Sequence, residues 1–284
     1  MIRFLLFNSW VAHGHVGAAA QVFPLQRLGA AVSLVPTVRF SNHPGYGRFA
    51  GEITTPAEIT ALTEGLDAIG ALDRLDGVLS GYLGSAETGE AVLAAVARAR
   101  TQSPQALYAC DPVIGDHGRV YVRPGIAECI SAAALPMADL ITPNGFELAL
   151  LSGMAVPDIA AAKAAAGLIS AKLRPGGPRL VLATGLVLAE TPRDAIDCLL
   201  VTGGGDFRLR TPKLALAASG AGDLAAPLFF LEFLRAAEAA TALATMAARL
   251  FAVLLATGQA RELAIVAAQD ELALPTLRFT PEPC

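Results

Sequence analysis

With 284 residues the chain can bury a large core, as one sizeable α/β domain or two smaller ones, and it carries 21 Lys and Arg against 25 Asp and Glu, a formal net charge of −4. That balance supplies no basic patch and argues against a nucleic-acid partner, while leaving room for a small anion held locally. Mean hydropathy is +0.53, but the most apolar stretch, 236–260, is interrupted by Glu238 and Arg249, so no uncharged run reaches the roughly 18 residues of a membrane span and no membrane partner is expected.

In chain order, the apolar run 2–7 ends at Asn8 and Ser9, too soon for a secretory signal, and reads as a first buried strand. A glycine-punctuated loop, 12–17, and a helix from Ala18 to Leu28 follow. Its two histidines, His13 and His15, lack a third ligand nearby and read as structural. A second strand, Ala31 to Val38, enters a long aromatic loop, 39–51, whose glycines do not fit the dinucleotide fingerprint. Thr55-Pro56-Ala57-Glu58 predicts a capped helix start.

Strand 77–80 ends at Gly81-Tyr82, and a helix runs from Glu87 to Arg100. Strand 106–110 delivers Asp111 and then Asp116, which are either carboxylates that organise Mg²⁺ and its waters or turn-forming aspartates; Asp116-His117-Gly118 reads as a turn, whereas Asp111 follows directly from the strand. Strand 138–141 ends at Thr142-Pro143-Asn144, where Asn144 and Glu147 have the spacing of a helix cap and its partner. A helix from Asp158 to Leu173, a strand 178–183 ending at Thr184-Gly185, a hairpin over 195–210, two helices reaching Thr257 and a further helix at 261–268 complete the reading. No linker or repeat appears, so 1–284 is expected to form a single domain. Four scattered cysteines lack metal-ligand spacing and suit a reducing cytoplasm.

Ser219-Gly220-Ala221-Gly222-Asp223 opens the first of those last two helices. Free N–H groups and the positive end of a helix dipole favour phosphate there. Asp223 is then either an ordinary helix cap or a base for an attacking hydroxyl.

These pieces, together with Gly14-His15-Val16-Gly17, Phe23-Pro24-Leu25-Gln26-Arg27-Leu28-Gly29, Thr37-Val38-Arg39-Phe40-Ser41-Asn42-His43 and Cys110-Asp111-Pro112-Val113-Ile114-Gly115-Asp116, occur in an order that resembles the pyridoxal kinase branch of the ribokinase superfamily, from about residue 4 to 255. The resemblance implies a three-layer αβα fold with a mostly parallel sheet, usually in homodimers. It implies ATP-dependent phosphorylation of the 5′-hydroxymethyl group of pyridoxal, with pyridoxine and pyridoxamine as further candidates. Asp223 would be the base, with Gly220, Ala221 and Gly222 as the anion hole; Ser9, Val38, His43 and Tyr82 would hold the vitamin. Asp111, Asn144 and Glu147 would organise Mg²⁺ and the phosphates, Asp111 and Glu147 through water, while Asp116 and Thr184 would lie along the nucleotide. An accessory monovalent cation such as K⁺ is left open.

The departures are Pro44 where a threonine is common after Ser-Asn-His, Gly145 after Thr-Pro-Asn, and Ala18 after His-Val-Gly. They leave two other readings in play: a related hydroxymethylpyrimidine kinase, and a weakly active vitamer-binding relative.

Overall fold

The structure, a computed structural model, describes residues 1–284. Its elements are β1 (Arg3–Val11), α1 (Val22–Arg27), β2 (Ala31–Phe40), β3 (Gly51–Ile53), α2 (Pro56–Ala68), β4 (Gly77–Ser80), α3 (Ala86–Gln102), β5 (Leu107–Cys110), β6 (Gly115–Asp116), β7 (Arg119–Val120) and α4 (Ile126–Cys129). There follow β8 (Leu140–Ile141), α5 (Gly145–Ser152), α6 (Ile159–Lys172), β9 (Leu180–Leu186), β10 (Ala195–Thr202), β11 (Gly205–Pro212), α7 (Ala221–Ala236), α8 (Ala239–Thr257), α9 (Gln269–Ala273) and β12 (Glu282–Pro283).

Ten strands form one sheet in the order β12-β11-β10-β9-β8-β5-β4-β1-β2-β3. The run from β9 to β2 is parallel throughout, and antiparallel strands close both edges. Parallel strands buried on both faces need continuous apolar runs, which is what Phe4-Leu5-Leu6-Phe7 supplies. Successive side chains go to opposite faces, so Leu5 and Phe7 join one core with α2, α3 and α6, while Phe4 and Leu6 join the other with α7 and α8. This is the three-layer αβα arrangement expected from the sequence.

Local signals are realised at Thr55 and Asn144, each of which makes a reciprocal capping box with the glutamate three residues on. The helix expected over Ala18–Leu28 is a 3-10 turn at Gly17–Ala20 followed by the short α1. The helix expected at 261–268 does not form, and the segment is a series of turns before α9. Leu263 and Ile265, two residues apart, are both buried, while Glu262, just before them, turns toward loops near β1 and β2. That spacing is incompatible with one helical face. Helix α8 is long and apolar enough by length and composition to cross a membrane, but Leu243, Met246 and Val253 are buried in the core it shares with α7.

At the edge of the sheet where the parallel strands begin, Asp139 is fully buried. It takes Tyr108 N–H at 2.8 Å, Arg174 Nη2 at 2.6 Å and a short contact from Arg100. A buried carboxylate shared by two guanidiniums costs most when it is removed, because both partners lose their counter-charge. Asp139→Ala is expected to lower the unfolding free energy by about 3 kcal/mol, measured by urea denaturation.

Candidate active site

The chain leaves β1 for β2 on one side and later returns to β4 on the other. The crevice beyond the carboxyl ends of β1 and β4 is therefore the point where ligands collect in such sheets. Asn8 sits there with no exposure, at a register shift in the β1–β2 ladder. Its Oδ1 accepts from Ser9 N at 2.8 Å and Tyr82 N at 3.0 Å, and its Nδ2 donates to Asp223 Oδ1 at 3.4 Å. One side chain thus joins β1, the β4 loop and the start of α7. The sequence reading passed over it, its only signal being a polar residue ending an apolar strand.

Gly220 is the N-cap of α7, at φ 102° and with no side-chain cap bond. A Cβ there would collide with His15 O, so the loop closes this tightly only with glycine. Asp223 is the third helical residue, which removes the helix-cap reading. The 16-residue helix leaves its first N–H groups free beside that carboxylate. Protein encloses the Asp223 carboxylate although the residue keeps partial exposure, and burial raises its pKa above the ordinary aspartate value. The Gly17 N–H, Asn8 and the His43 charge pull the other way.

Asp111 and Glu147 are also buried at this edge. Burial first, then repulsion from Asp223 and Glu147, pushes Asp111 well up, against a hydrogen bond from Thr142 Oγ1 at 2.8 Å. Burial lifts Glu147 to about 7, although its oxygens accept from Ile114 N at 2.8 Å, Gly115 N at 3.3 Å and Asn144 N at 2.9 Å. Asn144 Nδ2 donates to Gly115 O at 2.8 Å, and Asn144 bridges to Thr184. Asp116 is exposed at the β6–β7 turn, and its charge adds to the upward push on Glu147. Tyr121, just past β7, is half exposed, and enclosure of its hydroxyl, followed by the charges of Glu147, Asp111 and Asp223, raises its pKa. No three His, Cys, Asp or Glu side chains converge closely enough to ligate a bare ion. Separated, mutually repelling carboxylates suit a hydrated Mg²⁺ reached through water.

Across the crevice, Ser9 pairs with the fully buried Val38. Tyr82 is half-buried, and its carbonyl accepts from Thr37 Oγ1 at 2.5 Å. His43 caps the turn Pro44–Tyr46 by accepting from Gly45 N at 3.3 Å, so Pro44 starts a 3-10 turn, where a missing N–H is tolerated. His43, Tyr46, Ser219 and Glu262 line a pocket of about 70 Å³ between this loop and the α7 loop. Glu262 is the second residue that the sequence reading did not find.

Removing the Asn8 amide takes away a donor that favours the charged carboxylate, so Asn8→Ala is expected to move the Asp223 titration further up. A ¹³C-NMR titration of the Asp223 carboxyl carbon checks this, and an unmoved or lowered midpoint contradicts it.

The sequence profile of the phosphomethylpyrimidine kinase family matches residues 52–269. The pyridoxal kinase PdxY of Deinococcus radiodurans is 49% identical over 99% of this chain and 96% of its own length. That of Granulibacter bethesdensis is 44% identical over the whole of both. The pyridoxal kinase of Leishmania donovani, solved in complex with ADP and pyridoxamine, superposes with a TM-score of 0.90 at 30% identity, covering all of both chains. By sequence along its whole length and by fold, the chain belongs to the pyridoxal kinase family.

Proposed function

We propose that residues 1–284 form one kinase domain that transfers the γ-phosphoryl group of ATP to the 5′-hydroxyl of pyridoxal. The observation that carries this is a carboxylate, Asp223, set among the free N–H groups of a helix start and tied by Asn8 to the strand-end crevice. Asp223 takes the proton as the hydroxyl oxygen forms its bond to phosphorus and the bond to ADP breaks. The N–H groups of Gly220, Ala221 and Gly222 meet the charge on the transferring group, which costs no reorganisation because the helix start fixes them.

Ser9, Val38, His43 and Tyr82 bound the vitamin side of the crevice, and Thr184, Asn144 and Asp116 the nucleotide side. Asp111 and Glu147 are placed to hold the waters of Mg²⁺, which when bound neutralises the phosphate oxygens. The four cysteines are free, in keeping with a cytoplasmic setting. The homodimer is supported by an open sheet edge at β3 and by exposed Phe49 and Leu62 nearby in the chain.

A second reading, a kinase of the hydroxymethylpyrimidine heterocycle, has the matched family profile in its favour. Pyridoxal, pyridoxine, pyridoxamine and hydroxymethylpyrimidine, each supplied with MgATP, separate the two by relative kcat/KM, and pyridoxal is expected to lead. Binding of pyridoxal without ADP release would instead mark a vitamer-holding protein. Asp223→Asn is expected to lower kcat by roughly 10²–10⁴-fold with an unchanged melting curve, and full activity in that variant would remove Asp223 from the mechanism.

A further inference from the structure

The loop carrying His43 has lost the hydroxyl that the resemblance led one to expect at position 44, and its residues from Pro44 to Gly51 are mostly exposed. Ser41 pairs with Ala50, and Asn42 Nδ2 donates to Arg48 O at 2.9 Å, which closes the base of the loop, while the Tyr46 turn at its tip is held from outside it. Its anchor comes from more than two hundred residues later. Glu262 Oε1 accepts from Tyr46 Oη at 2.5 Å, and Glu262 Oε2 accepts from His15 N at 2.8 Å. The guanidinium of Arg261 lies 4.1 Å from the centre of the Tyr46 ring, and its Nη2 donates to Gly45 O at 3.4 Å. From the far side the His13 ring meets Tyr46 edge-on, with centroids 6.1 Å apart.

The anchor is itself firmly held. Leu263 and Ile265 are buried, and Ala264 N donates to Thr257 Oγ1 at 2.9 Å at the end of α8. Gly14 supplies the clearance for this approach, since a Cβ there would strike the Glu262 carboxylate.

We propose that Glu262, together with Arg261 stacked on the Tyr46 ring, is a positioning residue that pins the Tyr46 turn to the His13–Val16 loop and so sets where His43 stands over the vitamin side of the crevice. The inference rests on the kinase reading for its catalytic consequence but not for its structural one. A charge-assisted bond clamps the turn at one point, and the cation over the ring clamps it at a second. The two contacts restrict the turn at the tip of the loop, so their loss should appear as weaker pyridoxal binding and not as slower chemistry.

The test compares wild-type protein with Tyr46→Phe, Glu262→Ala and the double variant. Hydrogen exchange read by mass spectrometry needs no substrate. Peptides spanning 41–50 are expected to exchange faster in each variant, while peptides from β1, β4 and β5 stay unchanged. In steady-state kinetics with MgATP, Tyr46→Phe is expected to raise KM for pyridoxal roughly fivefold, with kcat and KM for MgATP within about twofold. The double variant should be no worse than Glu262→Ala, because both remove one contact. Unchanged exchange in the loop overturns the proposal whatever the enzyme's substrate proves to be. Faster exchange with equal rises in both KM values also overturns it, by assigning Glu262 to the α7 loop at Ser219. Wild-type protein inert toward pyridoxal would count against the kinase reading alone, and the exchange data would still decide the anchor.

Discussion

Three carboxylates in a crevice partly closed to water are the constraint around which the site is built. Asp111, Glu147 and Asp223 are each raised first by burial, and Asp111 additionally by the other two. Water would normally separate such charges, and here protein does so by giving each its own donors: Thr142 for Asp111, three backbone N–H groups for Glu147, Asn8 and Gly17 for Asp223. A group of this kind is unfavourable alone and becomes favourable when a cation and a phosphate chain enter between its members. The site thus holds an electrostatic preference for the ligands that the proposed reaction requires.

That preference is tolerable because the sheet confines it to one edge. The parallel block points every carboxyl end the same way, so polar loops gather beyond β1, β4, β5 and β8, while the opposite edge balances its own buried acid, Asp139, with two arginines. Between the edges lie two apolar layers with side chains such as Phe7, Tyr108 and Phe229 fully enclosed. Loops above so rigid a floor can vary in sequence, as at Pro44, without disturbing the strand ends that present Asn8 and Asp111.

Local chemistry made much of this legible in the sequence. The capping boxes at Thr55 and Asn144, the turn at His117-Gly118, the continuous apolar runs of the inner strands and the glycine-framed Asp223 each announce themselves within a few residues. The residues that stayed hidden are those whose role is set by distant partners. Asn8 meets Asp223 across 215 positions, and Glu262 meets His15 across 247. A lone asparagine or glutamate carries no periodic signal, and the helix expected at 261–268 failed for the same reason. Its alternating buried residues answer to tertiary contacts and override a composition that favours helix.

One further residue shows how such a partner could be inferred. Pro227 lies inside α7, four positions after Asp223, and a proline has no N–H to give the carbonyl one turn back. The backbone oxygen of Asp223 is thereby left without its helical donor in a buried setting, where an unpaired carbonyl is costly. Gln21, itself fully buried, donates Nε2 to that oxygen at 3.1 Å. The proline that interrupts the ladder therefore gives the turn before α1 a grip on the backbone of the proposed base, while Asn8 holds its side chain. Asp223 is thus held at its backbone by Gln21 and at its side chain by Asn8, both from the β1–α1 region. Proton transfer to a base held in this way depends on its placement as much as on its charge.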